Sequence, residues 1–297
     1  MTSPAATPVL AATTRLGATH LTVSDLDRAV AFYQDAIGLR VHAREDAPVE
    51  ARGEGAAAPA GAGATASLGA GGEDVLVLHE RPGARPAGRH AGLYHVALLY
   101  PSREELAFAV DRLVRTRTPV EGMSDHGTHE AIYLPDPDGN GLELAADRPR
   151  SAWPAGLGYG GGPQPLDVED LYSLARGKEP RRHAGRGLKT GHLHLHVGDL
   201  AAARDFYRDV VGFEVQFEMP TAVFLSAGGY HHHVAFNTWR GRGVPPAPAD
   251  AVGLDHWTVV VTADDLAAVA ARAGAESHDG VLELRDPSGN AVRIEAA

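Results

Sequence analysis

Apolar and polar residues alternate strictly over residues 191–197, and a segment of helical spacing follows directly. The polar positions of the alternating stretch are all histidines: His192, His194 and His196. A period of two predicts a strand with two different faces. Over residues 200–210 apolar residues recur at intervals of three and four, which predicts a helix. Asp199 stands where an N-cap belongs, and Gly212 stands where a left-handed residue ends a helix.

The same strand–helix pattern occurs near the start of the chain. The matching residue pairs are Gly17/Gly191, His20/His194, Val23/Val197, Asp25/Asp199, Phe32/Phe206, Tyr33/Tyr207 and Gly38/Gly212. Because identical residues recur at one constant separation, they predict an internal repeat. The histidine of each first strand therefore belongs to a repeated structural position.

Two further segments have the same order of elements. Strands expected over residues 93–100 and 253–261 each precede an amphipathic helix, and each segment ends in a hairpin. The hairpin turns read Asp-Pro-Asp-Gly-Asn at 136–140 and Asp-Pro-Ser-Gly-Asn at 286–290, which is typical turn chemistry. The chain is therefore expected to be an α+β protein of four βαβββ units.

These patterns predict the domain organisation. Unit one (15–80) and unit two (92–146) form a first domain at 15–146, and a linker at 147–187 follows. Unit three (188–238) and unit four (252–297) form a second domain at 188–297. Residues 1–14 are expected to be a disordered tail, and the Ala/Gly/Pro-rich residues 50–64 a mobile loop.

Composition narrows the chemistry. The chain of 297 residues has no cysteine, which excludes disulfides, thiol nucleophiles, zinc–thiolate sites and iron–sulfur clusters. With 16 histidines, any bound metal is expected to have nitrogen and oxygen ligands. The formal net charge of −11 argues against nucleic-acid binding, and no apolar run approaches the length of a membrane span. A cytoplasmic location without a membrane partner is expected.

An ordered set of motifs resembles the vicinal oxygen chelate superfamily of glyoxalases, bleomycin-resistance proteins and extradiol dioxygenases. The resemblance is greatest to the two-domain catechol 2,3-dioxygenase branch. The segments that carry it are Ser124–Gly127, Glu130–Glu143, Asp147–Arg150, Gly191–His194, Leu225–His233 and Asn237–Trp239. It implies two cupped eight-stranded barrels, each made of two units, with the helices outside.

The resemblance also implies metal ligands at two places in a unit. One lies early in the first strand, and the other lies four residues past the glycine of the last hairpin turn. His95, Glu143 and His192 fill these places without a shift. Two histidines and one carboxylate suit non-haem Fe(II), with Mn(II) as an alternative. This ligand set predicts that units two and three share the working barrel, and that units one and four form a second, inactive one.

A competing ligand set uses the consecutive units three and four. It consists of His192, His256 and Glu295. The acid then needs a shift of two residues, and the cationic Arg293 stands where the anionic ligand should be. The first set is therefore preferred.

Three further residues match catalytic positions of extradiol dioxygenases. His232 matches the acid/base histidine, with His231 and His233 as neighbouring alternatives because the strand register is open. Tyr133 and His126 match the two groups beside the substrate. The resemblance then implies O2-dependent cleavage of a small aromatic diol bound to the metal.

Two other functions stay open on the sequence alone. A glyoxalase-like isomerase or thiol transferase using Ni(II), Zn(II) or Mn(II) requires a fourth protein ligand, for which His231 or His233 is available. A metal-free small-molecule binding protein of the bleomycin-resistance type requires only an empty cavity. Assembly into a homo-oligomer and the identity of the catechol are also left open.

Overall fold

The computed structural model describes residues 9–47 and 63–297, except for the side chains of residues 158–160. The first eight residues of the expected tail lie outside this range, as does the expected mobile loop up to residue 62. Within the described part of the expected tail, Leu10 is buried and its amide donates to the carbonyl of Gly212.

Short strands and a few helices account for most of the described residues. The strands are β1 Arg15–Val23, β2 Arg40–Glu45, β3 Thr65–Gly69, β4 Asp74–Glu80, β5 Arg85–Pro86, β6 Gly92–Leu99, β7 Gly122–Asp125, β8 His129–Pro135, β9 Gly141–Asp147, β10 Gln164–Pro165, β11 Lys189–His196, β12 Glu214–Met219, β13 Ala222–Ser226, β14 Val234–Asn237, β15 Ala251–Val261, β16 Val281–Arg285 and β17 Ala291–Ala296. The α-helices are α1 Leu26–Phe32, α2 Arg103–Thr116, α3 Val168–Ser173, α4 Leu200–Asp205 and α5 Ala263–Ala273. No helix among the described residues is long and apolar enough to cross a membrane.

Strand pairing joins the units in a non-consecutive order. One sheet has the order β10-β7-β8-β9-β6-β11-β14-β13-β12, so it combines units two and three. The other has the order β16-β17-β15-β1-β4-β3-β2 and combines units one and four. In each sheet the first strands of the two units form the central antiparallel pair, β6 with β11 and β1 with β15. This is the pairing that the preferred ligand set predicts.

The α+β class and the vicinal oxygen chelate fold with two cupped sheets are confirmed, although the sheets do not close into barrels. Both sheets are cupped and open. The sheet of units two and three has nine strands, because β10 from the expected linker pairs with β7. Each cup leaves a concave face, and the polar side chains of the central strands lie there.

The helix ends follow the sequence signals. Asp199 accepts hydrogen bonds from the amides of Ala201 and Ala202, and Ser102 accepts one from the amide of Glu105. Helix α4 continues as a π-helical turn over Phe206–Val211 and stops at Gly212, whose φ of 105° is left-handed. A glycine is favoured there because a Cβ atom would be strained.

The repeated Asp-Pro-x-Gly-Asn turns connect the two sheets. Asp136 accepts the amides of Asp138 and Asn140 through Oδ1, and the buried Tyr33 hydroxyl of unit one donates to its Oδ2 at 3.0 Å. The Tyr207 hydroxyl of unit three donates to Asp286 of unit four at 3.2 Å in the same way. Each turn is therefore held by a tyrosine of the preceding unit, which belongs to the other sheet.

Replacing Tyr33 by phenylalanine should lower the free energy of unfolding. The change removes one of two donors from Asp136 Oδ2, which keeps the hydrogen bond from Asn140 Nδ2, and a hydrogen bond to a charged group contributes about 1.5–3 kcal/mol. Urea denaturation followed by circular dichroism measures the loss. The matched variant Tyr207→Phe should lose a similar amount. Tyr172→Phe, on the partly exposed α3, should change little; equal stability of Tyr33→Phe and the wild type would contradict this account.

Candidate metal centre

Two of the candidate ligands, His192 and Glu143, lie in one row across the middle of the nine-stranded sheet, and His95 lies beside that row. His192 on β11 is opposite Ala97 on β6, and Ala97 is beside Glu143 on β9. Side chains in such a row project from the same face of a sheet. Because the intervening residue is an alanine, the imidazole and the carboxylate can meet above its methyl group. His95 lies two residues before Ala97 on β6 and so faces the same side.

The three side chains converge on a single point. His192 Nε2 lies 3.0 Å from Glu143 Oε2, and His95 Nε2 lies 3.1 Å from the same oxygen. All three are buried, with 6% of His95, 1% of Glu143 and 2% of His192 exposed. One ligand atom from each residue lies within 4.8 Å of the others, a spacing that a single metal ion can bridge. The structure thus brings together all three residues of the preferred ligand set.

The protonation states suit metal binding. Burial alone would raise the pKa of the Glu143 carboxyl, but His192 and the adjacent His129 and His95 imidazoles hold that pKa well below its usual range. Burial also lowers the pKa of His192. An ionised carboxylate beside an imidazole that resists protonation suits the binding of a divalent cation.

Two buried ligand atoms also lack an ordinary partner. Neither His95 Nε2 nor Glu143 Oε1 has a hydrogen bond of acceptable geometry within the described part of the chain, although charged or polar atoms lie close to both. Buried polar atoms of this kind are rare and require an explanation. A cation held by His95, Glu143 and His192 would supply it, so the residues present fit a metal ion.

Tyr133 and His126 lie next to these ligands, as the sequence predicts. Tyr133 on β8 pairs directly with Glu143 on β9, and His126 Nε2 lies 2.8 Å from the Tyr133 hydroxyl oxygen. Burial, reinforced by the Glu143 charge, raises the pKa of Tyr133 well above 10, so its hydroxyl stays protonated. Burial lowers the pKa of His126 to about 4, so its imidazole is neutral at pH 7.

The three consecutive histidines at 231–233 do not lie in a strand. Strand β14 begins at Val234, so the three consecutive histidines precede it in the connecting segment. The His232 ring lies 4.1 Å from the His192 ring, and the His231 ring lies 5.7 Å from it. His233 is turned away, because its Nδ1 accepts the amide of Ala227. His232 and His231 therefore both face the site, and His233 does not.

Sequence reasoning missed one histidine of the site. His129, the first residue of β8, places Nε2 3.1 Å from Glu143 Oε1. Its ring stacks between those of His126 and His231, with both centroid distances 4.5 Å. Strand alternation could have revealed it, because His129 lies four residues before Tyr133 and therefore on the same face of β8.

The competing ligand set is not brought together. His256 lies on β15 of the other sheet, where its ring stacks on that of His20 at 3.8 Å. Arg293, on the neighbouring strand β17, pairs with Glu295 at 2.8 Å. The set fails because β15 pairs with β1 and not with β11, which leaves His192 in a different cup.

Comparisons with known proteins agree with this architecture. The model of the Glyoxalase/Bleomycin resistance protein/Dioxygenase superfamily matches residues 15–144 and 189–294. A catechol-2,3-dioxygenase of Bacillus subtilis (strain 168) is 39% identical over 254 residues, which are 84% of this chain and 83% of the relative. Biphenyl-2,3-diol 1,2-dioxygenase 3 of Rhodococcus globerulus is 35% identical over 68 residues, 23% of this chain and 36% of that protein.

Solved structures support the fold alone. A putative dioxygenase from Bacillus subtilis has a TM-score of 0.60 at 14% identity, covering 94% of this chain and 84% of that one. Glyoxalase I from Zea mays has a TM-score of 0.56 at 18% identity, covering 96% and 92%. Since the family model spans most of the sequence and one relative is similar along most of its length, the chain belongs to the glyoxalase/bleomycin resistance protein/dioxygenase superfamily, as a catechol-2,3-dioxygenase-like member.

Proposed function

We propose that the protein is an extradiol dioxygenase that uses Fe(II) and O2 to cleave a catechol ring beside its two hydroxyl groups. The observation that carries the proposal is the convergence of His95, His192 and Glu143 on one buried point. Two imidazoles and one carboxylate occupy one side of an octahedral ion and leave positions for substrate and oxygen. The 39% identity to a catechol-2,3-dioxygenase supports the same reaction class.

These three residues would hold the metal. Bound Fe(II) would supply the positive charge that lowers the pKa of the diol hydroxyls. It would also supply the redox chemistry needed for the reaction with O2. The sheet contributes the rigidity, because the three ligands lie on adjacent paired strands. Their burial excludes bulk water from the reacting atoms.

His232 would move protons during the reaction. Burial holds the pKa of its imidazole well below 6.5, so the ring is neutral and can accept the second hydroxyl proton of the diol. It could return that proton as the ring opens. His231 Nδ1 lies 2.9 Å from His232 Nδ1, so a hydrogen bond between the two rings would orient the proton carrier.

Tyr133 and His126 would position the substrate. The Tyr133 hydroxyl stays protonated and can donate a hydrogen bond to a substrate oxygen above Glu143. His126 Nε2 lies 2.8 Å from the Tyr133 hydroxyl oxygen, and this contact fixes the direction of the hydroxyl. A residue held in this way contributes mainly through orientation.

Aromatic side chains border the ligands and suggest where the substrate ring enters. Tyr94 and Trp239 pack edge to face at 5.2 Å, and both contact the His194 ring. These two side chains remain 38% and 51% exposed. Exposed aromatic side chains next to a buried polar site suit a small aromatic diol.

A glyoxalase-like isomerase or transferase is the second candidate. The observation in its favour is that nitrogens of His231 and His232 lie within 4.8 Å of a His192 nitrogen, so a fourth protein ligand is at hand. The two functions differ in their need for oxygen. Turnover of catechols only in the presence of O2 supports the dioxygenase, and activity towards a thiol adduct under strict anaerobiosis supports the isomerase.

Changing Glu143 to alanine should abolish iron retention. Protein reconstituted with Fe(II) under anaerobic conditions and then desalted should keep iron in the wild type, and at least about tenfold less in Glu143→Ala, because the anionic ligand is lost. Elemental analysis measures the iron. Glu295→Ala, in the other sheet, is the matched control and should retain iron like the wild type. Normal iron retention by Glu143→Ala would show that the Glu143 carboxylate is not a metal ligand.

Changing His232 to asparagine should lower kcat by about 10²–10⁴-fold while iron stays bound, because only the proton carrier is lost. The assay follows the yellow ring-cleavage product of a panel of catechols. His233→Asn is the control, because His233 is turned away from the ligands and should leave kcat close to the wild type. If iron-loaded wild type gives no yellow product from any catechol of the panel, the proposed function is wrong.

A further inference from the structure

A cavity of about 650 Å³ lies where the two sheets meet. Its walls include the connection between units one and two, the connection between units three and four, and the Asp-Pro-x-Gly-Asn turns of units two and four. Small-molecule sites commonly enclose about 300–1,000 Å³, so the volume suits a small organic ligand. His95, Glu143 and His192 do not line the cavity, which is therefore separate from the candidate metal centre.

Three arginines line this cavity, and none of them forms an ion pair with a carboxylate among the described residues. Each guanidinium instead donates to one backbone carbonyl: Arg81 to Ala249, Arg240 to His90 at 3.3 Å and Arg285 to Gly289 at 3.0 Å. A guanidinium has several N–H donors in a planar fork, so most of the donors of each arginine are left for another partner.

The two carboxylates that line the cavity are compensated by other groups. Asp138 Oδ1 lies 2.6 Å from Arg28 Nη2, and the hydroxyl and amide of Ser24 donate to the same carboxylate. Asp255 Oδ2 lies 2.7 Å from His256 Nδ1. The three arginines are thus left with an excess of positive charge, although the whole chain has a formal net charge of −11.

The half-buried Arg240 shows most clearly that this charge lacks a partner. Burial lowers the pKa of its guanidinium, and no carboxylate lies close enough to raise that pKa. Arg103 is the contrasting case, because hydrogen bonds from its guanidinium to Glu130 and Asp170 raise its pKa. Removing a cation from water without an opposite charge costs free energy, which an anion beside Arg240 would recover.

We propose that this cavity binds a small organic anion with at least two negative charges, carried by phosphoryl or carboxylate groups. Arginine recognises both groups through paired N–H donors. A single negative charge would leave most of the charge of the three guanidinium groups uncompensated. The inference does not depend on the proposed function, because the metal ligands lie outside the cavity.

A simpler explanation is that the three arginines only fasten the two connections to each other. The contacts of Arg81 with Ala249 and of Arg240 with His90 do join one connection to the other. This role uses one N–H of each arginine and requires no ligand. It predicts that a variant loses stability, whereas a ligand site also predicts saturable binding of an anion.

The test is isothermal titration calorimetry of the full-length chain with inorganic phosphate and with succinate. The ionic strength is held constant, because added salt alone screens charges. The wild type should bind at least one of the two anions at one site per chain. Arg240→Gln and Arg285→Gln should each weaken that binding by about tenfold or more, because a charge-assisted hydrogen bond is lost. Binding of phosphate alone identifies a phosphoryl ligand, and binding of succinate alone identifies a carboxylate ligand.

Two control variants show where the anion binds. Arg115→Gln removes the same charge from α2, outside the cavity, and should bind the anion like the wild type. Glu143→Ala should also bind it like the wild type, because the candidate metal centre is not involved. Equal weakening by Arg115→Gln would reveal unspecific attraction, and loss of binding in Glu143→Ala would place the anion at the metal; either result overturns the inference.

Thermal unfolding with and without the bound anion checks the fold and provides a second readout. The anion should raise the melting temperature of the wild type and of Arg115→Gln, and raise that of Arg240→Gln less, because a ligand stabilises the folded state that binds it. If Arg240→Gln does not fold, Arg285→Gln decides, since Arg285 is exposed and its replacement is better tolerated. Absence of saturable binding of both anions to the wild type overturns the inference and leaves the proposed function standing.

Discussion

The antiparallel pairing of β6 with β11 is the interaction on which the candidate site depends. It places His192 and Ala97 opposite each other, and the parallel pairing of β6 with β9 places Glu143 beside Ala97. A register shift of one residue would turn His192 to the opposite face of the sheet. Burying the Glu143 carboxylate costs several kcal/mol unless opposite charge and hydrogen bonds compensate it. The fold therefore makes a buried anion whose charge is compensated by the surrounding histidines and, in the proposed function, by a bound cation.

The two sheets show what the repeat has retained and what it has changed. The cross-strand pair His194–His95 in one sheet corresponds to the pair His20–His256 in the other. Ala18 corresponds to His192, and Arg293 stands in the place of Glu143. The second sheet thus keeps one histidine ligand position and has lost the other histidine and the acid. The second sheet has a structural role, because the Tyr33–Asp136 and Tyr207–Asp286 hydrogen bonds each join it to the first sheet.

Much of the architecture could be predicted because its signals are local or repeated. The period-two strand at 191–197, the caps at Ser102 and Asp199, and the left-handed Gly212 each follow from a few neighbouring residues. The convergence of His95, Glu143 and His192 was predicted from the family resemblance, applied to each of the four units in turn. The point at which a strand begins was less predictable. Strand β14 begins only at Val234, and His231 and His232 before it make side-chain contacts within the cup.

What the sequence could not show is which side chains from distant elements face the same few atoms. His129 carries no motif and has no counterpart in the repeat, and its importance depends on β8 pairing with β9 so that it lies across from Asp147. The sequence showed the Asp-Pro-Asp-Gly-Asn motif only as a hairpin turn. Its second role, as acceptor for the buried Tyr33 hydroxyl, depends on tertiary packing between units.

The central claim is that His95, His192 and Glu143 hold the catalytic metal. Anomalous X-ray diffraction at the iron absorption edge, from crystals loaded with Fe(II) under anaerobic conditions, tests it most directly. The account predicts a strong peak about 2.0–2.2 Å from His95 Nε2, His192 Nε2 and a Glu143 carboxylate oxygen, the usual range for nitrogen and oxygen ligands of such ions. Iron found instead beside His20 and His256 in the other sheet would contradict it.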